Sequence, residues 1–329
     1  MKKAIYSLAF LLVSCSPSTE EKSGSVFLGN AMTMDYKVII GDENSERKKI
    51  QMIIDSTFSE IDAIYNKWNP QSELSSLNKL KAYQKKVLSP ELEAFLIKTK
   101  EITLLTNGLF DPTVEPLERL WKKAWAEKKV PKEEEIKKIL LAVGLDKIVI
   151  EEGTFYKTHD QLSLDLGGIA KGFAVDLLTF NLNKAGYQNV FVEWGGEVKA
   201  IGEHPDKRAW RIFISRLHDQ NPEHAISHVD LKDKAVATSG DYLQNWTVRI
   251  ENKTIIYSHI FDPKTGYPLE ITRSSIASAT VLHSSCLMAD AIATALMLFP
   301  NQEKAKDFAL SLQEKEPDMQ FWIISREQN

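Results

Sequence analysis

The hydrophobic period of this chain changes once, near Asp146, and that change limits the fold it can adopt. Across residues 45–68, Ile50, Ile53, Ile54, Phe58, Ile61, Tyr65 and Trp68 recur at three- and four-residue steps and the pattern closes at Asn69-Pro70. This spacing predicts an amphipathic helix with one buried face. Ser89-Pro90-Glu91 supplies a cap, a proline at the first helical position and an early acid for a second helix, which Asn107-Gly108 ends. Further helical patterns cover 115–127 and 132–143, the latter started by Pro131 and stopped by Gly144. Beyond Asp146 apolar residues alternate, predicting strands at 147–150, 154–157, 189–194, 210–215, 246–250 and 275–282, interrupted by helices at 171–185 and 288–298. Such a chain is α+β: a helical N-terminal portion packed with a mixed, mainly antiparallel sheet.

With 329 residues the chain can bury a substantial core, as one large domain or two closely joined lobes. Lysine and arginine total 41 against 45 acids, so the net charge of −4 carries no nucleic-acid or polybasic membrane signature. Lys2 and Lys3 precede an apolar run, Ala4 to Val13, too short to span a bilayer and patterned like a secretory signal. It ends in Leu12-Val13-Ser14-Cys15, which resembles a bacterial lipobox. The expected organisation is a signal peptide over 1–14, lipidation at Cys15, a polar tether over 15–25 and one functional domain over 26–329. This is the layout of an extracytoplasmic lipoprotein held at the periplasmic face of a membrane. Only Cys286 remains beyond the lipobox, which excludes an internal disulfide and reads as a small buried residue.

Chemistry is suggested at several stretches. In LDLGGIAKGFAVD, residues 164–176, two glycines sit at a strand-to-helix corner and Lys171 follows them. The glycines let the backbone turn and the helix pack closely, while a helix start beside a lysine also suits an anion; the spacing is not that of a P-loop. TNGLFDPTVEPL, VEWGGEVKAIG, AVATSGDY and HIFDPKTGYPL each admit a plain turn or hairpin reading. SSCLMADAIATALMLF is sharper: Asp290 and Thr294, four residues apart, share one face of an otherwise apolar helix. A carboxylate there is costly unless paired, by capping a neighbouring helix or by offering, with Thr294, hard oxygens to Mg²⁺.

Taken in order, GNAM, the stretch ending SELSSLN, TNGLFDPTV, LDLGGIAKGFAVD, WGGEVKAIG, ATSGDY, HIFDPKTGYP and ADAIATAL closely resemble the motifs of the ApbE family of FAD:protein FMN transferases. The resemblance covers essentially everything after the tether. It implies Mg²⁺ as cofactor, FAD as substrate, and transfer of the FMN half of FAD to a Thr or Ser hydroxyl of a partner flavoprotein, with release of AMP. It also implies acceptors such as subunits of sodium-pumping NADH:quinone reductase or related electron-transfer proteins. Position by position, the resemblance assigns Met32, Trp68, Leu109, Phe110, Asp111, Asp165, Lys171 and Ile260 to FAD. The Gly168 carbonyl, Asp290 and Thr294 are assigned to Mg²⁺.

Three positions depart from the family pattern. Trp68 stands where tyrosine is common, Met34 replaces a small hydroxyl residue, and Ala293 sits where some members carry a second acid. His259 is the foremost candidate for the base that takes the acceptor proton, with Asp262 as its rival. Two other activities use the same residues: a Mg²⁺-dependent FAD pyrophosphatase, and a non-catalytic flavin-binding lipoprotein.

Overall fold

The computed structural model describes residues 24–43, 45–216, 221–241, 244–250 and 253–326. The expected signal peptide, Cys15 and most of the tether lie outside them. Two strands open the described chain, β1 (Ser25–Ala31) and β2 (Met34–Ile40), so that β1 takes in the last residue of the expected tether. Helices α1 (Arg47–Tyr65) and α2 (Glu73–Asn78) follow, then β3 (Lys86–Val87), α3 (Pro90–Leu105), α4 (Glu115–Ala126) and α5 (Glu133–Leu140). Next come β4 (Ile148–Glu151), β5 (Thr154–Lys157), α6 (Ala170–Lys184), β6 (Val190–Trp194), β7 (Glu197–Ile201), β8 (Trp210–Ile214) and β9 (Ser227–Leu231). The chain continues through β10 (Lys234–Gly240), β11 (Asn245–Ile250), β12 (Lys253–Phe261), β13 (Pro268–Glu270) and β14 (Ile276–His283). It ends in α7 (Cys286–Leu296), α8 (Gln302–Gln313) and β15 (Gln320–Ser325).

The α+β reading holds, and every strand pairing among the described residues is antiparallel. The large sheet has the order β1-β2-β6-β7-β10-β14-β15. One of its faces packs α1, α6 and α7 in the main core, where Val38, Val192, Ala237 and Val281 meet Ile54, Leu178 and Ile292. The opposite face carries Phe191, Val198, Val236 and Leu282 against the β8–β9 hairpin through Trp210, Ile212 and Val229. This two-sided covering explains why β14 reads as a continuous buried run. Each of these large aliphatic side chains contributes roughly 1.5–3 kcal/mol by leaving water.

A third, smaller core joins α4 and α5 to β11 and β12 through Leu117, Trp121, Ile136, Val248, Tyr257 and Phe261. The Trp121 indole donates to the Gly266 carbonyl at 2.9 Å, which fastens the turn after β12 to α4.

Helix boundaries follow their capping chemistry. Ser89 caps α3 by accepting from the Leu92 amide at 3.2 Å with Pro90 in the first turn, and Ser285 caps α7 through the Met288 amide at 3.3 Å. The pair β1–β2 is absent from the periodicity reading. In β1 the apolar Val26 and Leu28 point outward, Leu28 being 70% exposed, while inward-facing Gly29 leaves room for the Tyr36 ring. Alternation is therefore hidden in the composition of that strand.

Candidate functional site

Helices α6 and α7 meet at the glycine-rich corner. The amides of Ile169 and Ala170 both donate to the Leu166 carbonyl, at 3.0 and 2.8 Å, which closes the turn into α6. A Cβ on Gly172 would lie 2.3 Å from the Cys286 carbonyl oxygen and 2.9 Å from the Asp290 Cβ, so the two helices touch only because that position has no side chain. The Gly172 amide donates to Asp290 Oδ2 at 3.0 Å. Gly168 packs on the next turn of α7, where a Cβ would stand 3.0 Å from Thr294 Oγ1 and 3.4 Å from the Phe110 ring. Thr294 Oγ1 also shares a hydrogen bond of 3.1 Å with Ser239 Oγ at the end of β10. Gly168, Asp290 and Thr294 are thus brought together from segments more than a hundred residues apart.

Buried ionisable groups crowd this corner. Lys171 forms an ion pair with Glu197 on β7, and both Glu197 (1% exposed) and Asp290 (2% exposed) are buried. Burial works against the Lys171 ammonium, but the Glu197 and Asp290 carboxylates outweigh it and hold the lysine charged. Burial also pushes the Asp290 and Glu197 carboxyls above the usual range, with Lys171 drawing both back down. Among the described residues Glu197 Oε2 has no hydrogen-bond partner. Two buried carboxyl groups share one lysine here, and a bound cation would favour the charged form of both.

The donors fit a hard divalent ion such as Mg²⁺: a carboxylate, a hydroxyl and the backbone of a glycine packed against that hydroxyl. No three His, Cys, Asp or Glu side chains converge on a metal site among the described residues. Such an ion would therefore lean on backbone, hydroxyl and substrate oxygens, consistent with Ala293 lacking a carboxylate.

Of the residues expected at the flavin, Lys171 and Phe110 border the corner itself, and Asp165 lies just ahead of it in sequence. Asn78 clamps the approach to it, accepting from the Leu164 amide at 2.8 Å and donating to the Leu164 carbonyl at 3.0 Å. The Asp165 amide donates to the Pro112 carbonyl at 2.7 Å, joining the FDPT turn to the same segment. Asp165 Oδ1 accepts from the Gly167 amide at 2.8 Å, and its Oδ2 pairs with Lys67 Nζ at 2.6 Å. Lys67 also reaches Glu118 at 2.8 Å. Burial opposes the Lys67 charge, and the two carboxylates overcome it.

Trp68 is 75% exposed, with Lys67 Nζ 4.9 Å and Lys122 Nζ 5.8 Å from its ring centroid. An exposed indole steadied by two cations presents a flat surface beside Asp165. Met32 occupies the β1–β2 turn with φ of 48°, and Leu109 packs at the edge of the main core.

Four expected residues have their side chains engaged in turns or in the core. Asp111 Oδ1 accepts from the Thr113 amide and hydroxyl at 2.8 and 2.6 Å, and Oδ2 from the Leu145 amide at 3.3 Å. Burial raises its pKa against these bonds, and the carboxylate serves as the knot of a turn. Phe110 and Ile260 are buried in the main core, so they shape the site as walls. Asp262 Oδ1 accepts from the Lys264 amide at 2.8 Å and Oδ2 from Thr265 Oγ1 at 2.9 Å, a turn fastening that occupies both oxygens.

His259, in contrast, has Nδ1 3.3 Å from the Gln244 carbonyl. With the proton on Nδ1 for that bond, Nε2 is the basic nitrogen. Burial lowers its pKa, with the Gln244 carbonyl pulling the other way, so the ring is neutral at pH 7. The geometry favours His259 over Asp262 as a proton acceptor.

Lys67, Glu118, Glu197 and Ser239 were not singled out by the sequence. Glu197 carried a signal, an acid directly after Gly195-Gly196 at the start of a strand, but a hairpin accounts for that pattern equally well.

The polar α6–α7 corner and the exposed indole of Trp68 both fall within the span that matches a known family. The ApbE family model matches residues 32–319, and the chain belongs to that family. It is 39% identical to the FAD:protein FMN transferase of Chlamydia pneumoniae over 91% of this chain and 90% of that protein. It is 33% identical to the enzyme of the same name from Vibrio cholerae, over 88% and 84%. Its fold superposes on the apo form of the Pseudomonas stutzeri flavinyl transferase ApbE with a TM-score of 0.79, 28% identity and 94% coverage of each chain. On the Vibrio cholerae flavin transferase ApbE the TM-score is 0.74, at 30% identity, covering 92% of this chain and 98% of that one.

Proposed function

We propose that this protein transfers the FMN half of FAD to a Thr or Ser hydroxyl of an acceptor protein, in a Mg²⁺-dependent reaction that releases AMP. The observation that carries the proposal is the convergence of Asp290, Thr294 and Gly168 beside the buried Lys171–Glu197 pair at the α6–α7 corner. Asp290, Thr294 and the Gly168 carbonyl would hold the ion. When bound, Mg²⁺ supplies neutralisation of the charge that develops on the diphosphate.

The chain's own residues do the rest. Lys171 offers its ammonium toward the phosphates, and the exposed Trp68 face and the Asp165–Lys67 pair orient the flavin end. His259 Nε2 takes the proton of the acceptor hydroxyl. As that oxygen bonds to the FMN phosphorus, the bridging P–O bond breaks and AMP departs with the bridging oxygen. Positioning and charge dominate catalysis in such a transfer, which suits a site built from helix corners.

Incubating the protein with FAD, Mg²⁺ and a peptide bearing a Thr/Ser flavinylation motif tests the reading. Mass spectrometry should find FMN covalently on the peptide. Free FMN and AMP with an unmodified peptide would instead indicate an FAD pyrophosphatase, and FAD left intact would indicate a flavin-binding protein.

The Leu12-Val13-Ser14-Cys15 sequence supports a lipid anchor at Cys15 on the periplasmic side. A membrane-held acceptor, such as a subunit of a sodium-pumping NADH:quinone reductase, would meet the enzyme there. Cys15→Ser should leave unprocessed precursor without acyl chains, and lipid still present on that variant by metabolic labelling would overturn the anchor. Among the described residues no helix is long and apolar enough to cross a membrane.

A further inference from the structure

The acid that closes the glycine-rich motif, Asp176, is engaged differently from the others. It lies four residues after Gly172, hence on the same face of α6 one turn further along, and points at the start of α7. Its Oδ1 accepts from the Cys286 amide at 3.1 Å, and its Oδ2 from the Leu287 amide at 3.0 Å and from Ser285 Oγ at 2.9 Å. Ser285 Oγ in turn accepts from the Met288 amide at 3.3 Å. The first three amides of α7 are thereby satisfied by two side chains, one belonging to another helix. A full negative charge also sits where the helix dipole is positive. Lys199 on β7 donates to Asp176 Oδ1 at 2.6 Å and ties the arrangement to the sheet.

We propose that Asp176 is the positioning residue of the metal site, fixing the rotation and advance of α7 so that Asp290 and Thr294 face Gly168. This rests on the Mg²⁺ reading of that corner. The reasoning is geometric. Asp290 and Thr294 lie four and eight residues beyond Cys286 on α7, while Gly168 stands just ahead of α6, so the two halves of the site belong to separate helices. Among the described residues, two hydrogen-bonded links join those helices at this face, the Gly172 amide to Asp290 and Asp176 to the α7 start. The first is made by a proposed metal ligand and competes for its oxygen. Asp176 is the link that leaves the ligands free.

The test uses the full-length protein and Mg²⁺ itself. Asp176→Asn keeps the volume and one acceptor oxygen but loses the charge and one arm of the clamp. Calorimetric Mg²⁺ affinity should weaken about 10-fold or more, as for other groups that orient metal ligands. The Mg²⁺ concentration for half-maximal transfer should rise by a similar factor, while kcat at saturating Mg²⁺ stays within about threefold. Ser285→Ala, a milder change at the same clamp, should shift Mg²⁺ affinity in the same direction.

Wild-type Mg²⁺ affinity in folded Asp176→Asn, even with a lowered melting temperature, would reduce Asp176 to a plain structural cap and overturn the proposal. If Asp176→Asn does not fold, wild-type affinity in Ser285→Ala overturns it equally. Asp290→Asn is measured in parallel. Should it bind Mg²⁺ as well as the parent protein does, the metal-site reading itself has failed and the role of Asp176 falls with it.

Discussion

Asp290 accepts a hydrogen bond from the amide of Gly172 at 3.0 Å, so the carboxylate expected to hold a cation is already fixed by one oxygen to the backbone of the neighbouring helix. An amide side chain can accept the same bond. Asp290→Asn should therefore keep the helix contact, lose the charge, and lower FMN transfer by at least ~100-fold. Without metal its melting temperature should equal or exceed that of the parent, since an incompletely paired buried charge is gone. An active, Mg²⁺-responsive variant would refute the metal assignment; transfer assays across a Mg²⁺ titration, with apo thermal melts, supply the comparison.

Gly172→Ala probes the closeness of the two helices. The added methyl would stand 2.3 Å from the Cys286 carbonyl oxygen, a backbone atom that cannot swing aside. Relief requires α6 and α7 to separate, at a cost of about 1–3 kcal/mol. Urea denaturation should show that loss, and Mg²⁺ affinity should fall with it. A parent-like midpoint would mean that the helices have slack.

The protonation of His259 sets the acid limb of activity. Burial holds its folded-state pKa below the ordinary 6.5, so the ring remains neutral until the pH falls below that value. Because a base must be unprotonated, kcat/KM should rise with pH through a midpoint under 6.5 and then level off. The same shift makes an acid contribution to unfolding. The unfolded chain takes up the proton first, so the stability this residue supplies is intact above 6.5 and declines as pH drops through that window. His259→Ala should abolish the limb and lower transfer about 10²–10⁴-fold while FAD still binds. Persistence of the same limb in the variant would assign it to another group.

Trp68→Ala should weaken FAD binding by roughly 1–2 kcal/mol through lost stacking. Stability should hardly change, because the ring is 75% exposed and packs mainly on two lysine side chains. Trp68→Tyr should recover most of the affinity. Equal calorimetric affinities for all three proteins would move the flavin elsewhere.

Asp290 and Thr294 were legible in the sequence because a carboxylate inside an apolar helical run is conspicuous, and helical spacing alone puts the hydroxyl on the same face. The glycine corner was legible for a similar reason, although spacing did not reveal that its tightness is set by the Cys286 carbonyl. Glu197 was not legible. Its importance arises from pairing with Lys171 across the α6–β7 packing, which no local pattern encodes. Lys67 escaped notice likewise, since its partners Asp165 and Glu118 lie far along the chain and an exposed-looking lysine at a helix end is ordinary. Asp111 shows the opposite limit. A carboxylate in a motif reads as available to a ligand until its bonds to Thr113 and Leu145 are seen. Strand β1 was missed because its outward positions Val26 and Leu28 are apolar.

Strand β12 turns Ile260 into the main core and Tyr257 and Phe261 into the smaller aromatic one, with His259 between them. The proposed base is therefore mounted on a beam whose two supports are separate hydrophobic bodies, while the proposed cation corner rests on the larger. Loosening the aromatic body would carry His259 out of line and leave the grip on the diphosphate unchanged. On warming, such an enzyme would stop handing over its cargo before it stopped holding it.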